Sequence, residues 1–280
     1  MKVGVVGLGL IGGSVAKAYK KAGHDVFGMD IDVKIQGFAK LAGVIDEVLT
    51  EQNLPSCDLV FLTAYPGAVI EYVEKNKNLF NKEGLVMDCC GVKKSVCDAC
   101  FAIAEEAGFT FVGGHPMAGS ERSGFKVSRP DMFKGASMVI VPPVFDDIRL
   151  LARVKEALQP LECRKFKVTR AEHHDQMIAY TSQLSHIASN AFVKSPSALE
   201  EDGYSGGSFR DLTRVAYLNE KMWTELFLYN EEPLLEELDI LIGSLTEYRN
   251  AIADGDRETL EGLLRDGRMR KEELEEKKKK

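Results

Sequence analysis

The stretch Lys2–Val6 is a short β-branched run, long enough for one buried strand, and it leads straight into Gly7, Gly9 and Gly12 in G-x-G-x-x-G spacing. Leu10, Ile11, Val15, Ala16 and Tyr19 then recur at helical intervals as far as Gly23, so the segment predicts strand, tight turn and helix. A dinucleotide site needs glycine at these three positions. Gly7 takes the turn, Gly9 lets backbone approach a pyrophosphate, and Gly12 lets the helix pack against the strand. The helix N-terminus, at Leu10 and Ile11, presents free N–H groups to phosphate. A second strand, Asp25–Met29, ends at Asp30. A carboxylate there suits both ribose hydroxyls and repels a 2′-phosphate, which predicts NAD rather than NADP.

Strands and helices go on alternating. Strands are expected at Leu59–Leu62, Leu85–Asp88, Thr110–Gly113, Ser137–Val141 and Lys165–Val168, with helices over Ile35–Leu41, Gly67–Asn78, Ser95–Ala107 and Asp147–Leu158 between them. This pattern implies an α/β fold, a doubly wound, mostly parallel sheet covered on both faces. Ligands of such sheets lie beyond the carboxyl ends of the strands, which nominates the stretches Thr63–Pro66, Cys89–Lys93 and Gly114–Glu121; within them Thr63, Tyr65 and Gly91 are expected to meet the cofactor and Lys93 the substrate. At Thr169-Arg-Ala-Glu172 the pattern changes to a capping box, and beyond it the periodicity is helical almost throughout, with one glycine-rich break at Gly203–Gly207. The expected division is a dinucleotide-binding domain over 1–168 and an all-helical domain over 169–280, the latter a common source of substrate site and dimer surface.

Composition narrows the partners. A net charge of −7 argues against nucleic acid, so an anionic substrate would need a local basic pocket. No apolar run approaches the length of a membrane span, and Met1 meets the first strand with no room for a leader; the expected location is cytoplasmic. The six cysteines are too few and too scattered for a disulfide framework in 280 residues. Cys97-x-x-Cys100 lies in a helical pattern with no second pair to complete a zinc site. His173, His174 and Asp175 open a helix and show no usable metal-ligand spacing with His186, so no metal is expected.

Three constellations could carry chemistry. His115 stands between permissive glycines and a proline in Gly-Gly-His-Pro-Met-Ala-Gly-Ser-Glu121, where an imidazole can take a proton from a hydroxyl as hydride leaves the same carbon. Ser182 and His186 fall within two turns of the helix from Thr169. In Gly206-Gly-Ser-Phe-Arg-Asp-Leu-Thr-Arg214, Asp211 can orient Arg214, and Arg214 can grip a carboxylate bidentately; Trp223, the only tryptophan, follows.

These motifs, in this order, resemble prephenate dehydrogenase and its arogenate-using relatives over nearly the whole chain. The resemblance implies oxidative decarboxylation of prephenate to 4-hydroxyphenylpyruvate in tyrosine biosynthesis, or of arogenate to tyrosine, by a homodimer joined through its helical domain. It implies that His115 accepts the ring hydroxyl's proton and Arg214 binds the ring carboxylate. His186 would lie near the side chain, Glu121 and Asp211 would form an ionic network with the arginine, and Ser182, Gly207 and Trp223 would line the substrate. The chain departs from the family in having Gly91 where a serine is usual two residues before Lys93, and Gln183 and Ser185 where a histidine and a proline are common. A stand-alone dehydrogenase, without a regulatory or mutase domain, is expected. Two rivals share parts of the pattern. A β-hydroxyacid dehydrogenase commonly uses a lysine on the first long helix of its second domain, and none lies between Thr169 and Phe192. An NAD-binding sensor without turnover would explain the missing hydroxyl at Gly91.

Overall fold

The computed structural model describes residues 1–120 and 122–279. Eight strands form one sheet in the order β3-β2-β1-β4-β5-β6-β7-β8. They are β1 (Lys2–Val6), β2 (Asp25–Met29), β3 (Glu47–Val48), β4 (Leu59–Leu62), β5 (Leu85–Asp88), β6 (Thr110–Pro116), β7 (Ser137–Val141) and β8 (Lys165–Val168). All neighbours pair in parallel except β6 and β7, which run antiparallel with His115 opposite Val139. Side chains alternate between faces as the pleat requires. Val3, Val5, Leu59, Phe61, Leu85 and Met87 enter one core, whereas Val6, Val60, Leu62, Val86 and Phe111 enter the other.

The covering helices are α1 (Leu10–Lys21), α2 (Val33–Leu41), α3 (Pro66–Asn76), α4 (Lys94–Ala107) and α5 (Ile148–Ala157). Val15, Ala16 and Tyr19 of α1 join the first core with Leu150 and Val154 of α5; Val69 and Val73 of α3 and Val96 and Cys100 of α4 join the second. Burial raises the Cys97 thiol well above its ordinary value and pushes Cys100 to about 12, so the C-x-x-C pair consists of protonated core thiols.

After β8 come α6 (Ala171–Ile178), a π-helical turn (Ala179–Gln183), α7 (Leu184–Phe192), α8 (Gly207–Thr213) and α9 (Glu220–Leu228). The capping box does not form. Thr169 is buried and donates its N–H to Ile140 O at 3.0 Å, prolonging the β8 pairing, so α6 starts one residue later with Arg170 at the N-cap and no side-chain cap bond. The chain divides into two compact units, Met1–Glu231 and Glu232–Lys280. The second consists of α10 (Glu231–Asp254, entered at its first residue) and α11 (Arg257–Lys279), joined through Gly255 at φ 64°. Tyr248 Oη donates to Leu263 O at 3.1 Å to tie these two helices together. Among the described residues no helix is long and apolar enough to cross a membrane.

Candidate active site

The glycine loop between β1 and α1 is built as its spacing demands. Gly7 has φ 87°, a value side chains rarely adopt. A Cβ on Gly12 would lie 1.8 Å from Gly7 O and 2.3 Å from Thr63 Oγ1, whereas one on Gly9 would meet no heavy atom within 4 Å. The loop is therefore locked from behind and open in front. Thr63 helps to lock it, its Oγ1 donating to Gly7 O at 2.6 Å, so its hydroxyl is engaged with the loop. Leu10 and Ile11 form the first turn of α1, and its N-cap, Gly9, makes no side-chain bond, leaving the terminal N–H groups to a ligand. Asp30 is half-buried; its Oδ2 accepts from Leu8 N at 2.7 Å and its Oδ1 from Asp32 N at 2.9 Å. Each oxygen keeps a lone pair for a ribose hydroxyl. This donor and acceptor set fits a dinucleotide: open glycine backbone for the pyrophosphate and an oriented carboxylate for the ribose.

The strand ends beside this loop carry the remaining groups. Tyr65 is exposed at the N-cap of α3. Gly91, after β5, is half-buried, and a Cβ there would touch Leu226 of α9 at 3.4 Å, an ordinary contact. Glu225, next along α9, accepts from Gly67 N at the start of α3 at 2.9 Å. Thus α9, which bears Trp223, lies across the carboxyl ends of β4 and β5. Trp223 stacks on His186, ring centroids 4.2 Å apart at 32°, and His186 Nδ1 bonds the backbone oxygen of Ser182 at 2.8 Å. These three expected substrate residues come together on one side of the site.

His115 is half-buried and stands within β6, not in a loop beyond it, because β7 pairs with the strand as far as Pro116. Its Nδ1 is 2.9 Å from His174 Nε2. His174 Nδ1 is in turn 2.6 Å from Asp175 Oδ1, which also accepts from Lys93 N at 2.7 Å, while Oδ2 accepts from Lys94 N at 2.8 Å. Burial, the repulsion two protonated rings would feel at this distance, and the charge of Lys93 together hold the His115 imidazole well below its ordinary value; burial also lowers His174. Both rings are therefore neutral at neutral pH.

Lys93 lies elsewhere than expected. It is fully buried and its ammonium pairs with Asp88 at the end of β5. Burial alone would lower its pKa, but the Asp88 charge outweighs burial and raises it. Asp88 also accepts from Cys90 N at 2.8 Å and Gly114 N at 3.1 Å, so the pair braces the β5 turn against β6. Gln183 is equally internal: it donates to Leu226 O at 3.0 Å and accepts from Asn230 Nδ2 at 2.6 Å. It joins the π turn to α9. Arg214 is the C-cap of α8, and it, Asp211 and Gly207 are exposed. Among the described residues no ion pair links Asp211 to Arg214. Glu121 lies outside the described residues.

The family profile for prephenate dehydrogenase, nucleotide-binding domain, matches residues 15–167, and that for its dimerization domain matches residues 170–266. The chain belongs to the prephenate dehydrogenase family. A prephenate dehydrogenase of Lactococcus lactis subsp. cremoris is 28% identical over 288 residues, covering 98% of this chain and 77% of that protein. Prephenate dehydrogenase from A. aeolicus, solved in complex with hydroxyphenyl propionate and NAD+, superposes with a TM-score of 0.84 at 26% identity over 98% of each chain. Synechocystis arogenate dehydrogenase superposes at 0.80, also 26% identical, over 98% of this chain and all of that one.

Within this prephenate dehydrogenase family member, the groups that sequence reasoning missed are His174 and Asp175. The dipeptide lies in the helix that follows the last strand, where its sequence suggests no more than a metal ligand pair. What marks it is burial of both side chains at the start of a helix, which periodicity alone does not show.

Proposed function

We propose that this chain is an NAD-dependent dehydrogenase that converts prephenate to 4-hydroxyphenylpyruvate and carbon dioxide in tyrosine biosynthesis. The observation that carries the proposal is His115, a neutral imidazole at the carboxyl end of β6, in a chain of this family whose glycine loop opens at the same edge of the sheet. NAD, when bound, supplies the hydride acceptor for the ring carbon that bears the hydroxyl. His115 accepts the hydroxyl proton. Arg214 holds the ring carboxylate until it leaves as carbon dioxide, a loss driven by aromatisation of the ring. His186, Ser182 and Trp223 form the wall that receives the substrate's side chain. Lys93 stays in the scaffold. All six cysteines are free, which suits a reducing, cytoplasmic location, and the helical part is taken to join two copies as a homodimer. No nucleic acid or membrane enters this function.

Arogenate, which differs at the side chain, is a second substrate reading, favoured by the match to Synechocystis arogenate dehydrogenase. A spectrophotometric assay of NADH formation tests both. Turnover of prephenate supports the proposal, turnover of arogenate alone replaces the substrate, and turnover of neither removes the function. His115→Asn is expected to lower kcat by about 10²- to 10⁴-fold, the range for loss of a general base, with NAD affinity unchanged in a fluorescence titration.

A further inference from the structure

We propose that His174 and Asp175 are positioning residues that fix the tautomer of His115, keeping its hydrogen on Nδ1 and leaving Nε2 as the basic nitrogen. The inference rests on the assignment of His115 as the base for the substrate hydroxyl and deepens it. It follows from counting hydrogens along one line of contacts. Asp175 as a carboxylate can only accept, so His174 Nδ1, 2.6 Å from it, carries the hydrogen. A neutral His174 then has a bare lone pair on Nε2. That atom lies 2.9 Å from His115 Nδ1, and two lone pairs at this distance would repel, so His115 Nδ1 carries the hydrogen between them. A neutral His115 is left with its own lone pair on Nε2, as proton abstraction requires.

The far end of the line is rigid. Both Asp175 oxygens are held by backbone N–H groups of Lys93 and Lys94, where α4 begins, and Asn230 donates to the Asp175 backbone oxygen at 3.0 Å. The charged groups that act on the two rings are Lys93 and Asp88 from the β5–α4 side and Asp175 from α6. Lys93 opposes a charge on either ring, whereas Asp175 and Asp88 favour one on His174. If His174 held two hydrogens it would donate to His115 Nδ1, and His115 would present an N–H to the substrate in place of a lone pair. During turnover the substrate O–H bond breaks and an Nε2–H bond forms on His115; the Nδ1–H bond stays, still donated to His174.

The test is the nitrogen spectrum of the intact protein labelled with 15N-histidine, with His115 assigned by the signal lost in His115→Asn. At neutral pH His115 is expected to show a protonated Nδ1 and a bare Nε2. His174→Phe should release the ring to the opposite tautomer or a mixture, and lower kcat by about 10- to 100-fold, the scale on which an orienting partner matters to a functional histidine, with KM for both substrates little changed. His174→Gln, whose amide oxygen can accept the same hydrogen bond, should keep the tautomer and restore most of the rate. A wild-type His115 with its hydrogen on Nε2 overturns the inference, as does a His174→Phe spectrum and kcat equal to wild type. The wild-type spectrum decides the matter even if His174→Phe does not fold. Absence of turnover with prephenate and arogenate would remove the dehydrogenase assignment and leave the tautomer result standing on its own.

Discussion

Lys93 shows how far a residue's chemistry depends on burial that its neighbours in sequence do not reveal. Its place just past a strand end suggested a substrate contact, yet its ammonium is spent on Asp88 inside the domain. Lys93→Met therefore leaves a buried carboxylate without its counter-charge, and the expected cost is about 3–5 kcal/mol in chemical denaturation. Asp88→Asn combined with Lys93→Met should recover much of that loss; a higher KM with unchanged stability would return Lys93 to the substrate. Glycine positions behave differently. Gly7 and Gly12 were legible because the turn they make is local, and the 1.8 Å approach of a Gly12 Cβ to Gly7 O is the physical content of the motif. The histidines give a pH prediction. Both have folded pKa values below 6.5, so the unfolded chain binds protons more readily than the folded one as pH falls through 6.5. Stability is complete above that value and declines below it. The acid limb of kcat/KM should likewise lie below 6.5, where His115 becomes protonated. Thermal melts of His115→Asn should show a shallower acid decline than wild type.

At the level of elements, the strands that periodicity predicted are present, because β-branched runs bounded by turns need little tertiary context. The errors lie where an element's end depends on a distant partner. β6 runs on to Pro116 because β7 pairs with it, and α6 begins after Thr169 because Ile140 has already taken the threonine's N–H. The π turn at Ala179–Gln183 has no sequence signature of its own. Its anchor is Gln183, which meets Leu226 and Asn230 while Asn230 also reaches the Asp175 backbone. One polar cluster thus ties α6, the π turn and α9 together. Asn230→Leu strands the Gln183 side-chain oxygen in the interior and takes one of two donors from the Asp175 backbone oxygen, which keeps the Ala179 N–H, and the expected loss is roughly 1–3 kcal/mol. Adding Gln183→Met should cost less than the sum of the two single changes, since they share a hydrogen bond; strict additivity in urea unfolding would show that the cluster does not act as a unit.

Across the whole molecule, the site is assembled at one edge of the sheet. The glycine loop follows β1, Gly91 follows β5, His115 lies one residue short of the end of β6, and α9 crosses above them through Leu226 and Glu225. Arg214 is the exception, because it, Asp211 and Gly207 are exposed in the single chain. An arginine that grips a carboxylate is far more effective when water is excluded, and the profile matching residues 170–266 is that of a dimerization domain. Exposed apolar side chains along α10 and α11, among them Ile240, Ile242, Leu245 and Leu264, are of the kind a second copy covers. If Arg214 completes the site of the opposite subunit, two inactive variants can repair one another. In a mixed dimer of His115→Asn with Arg214→Ala, one site collects both defects and the other has neither. Co-refolding the two variants is therefore expected to restore NADH formation well above that of either alone. If each arginine serves its own subunit, both sites of the mixed dimer carry one defect, and the rate stays at the level of the parents.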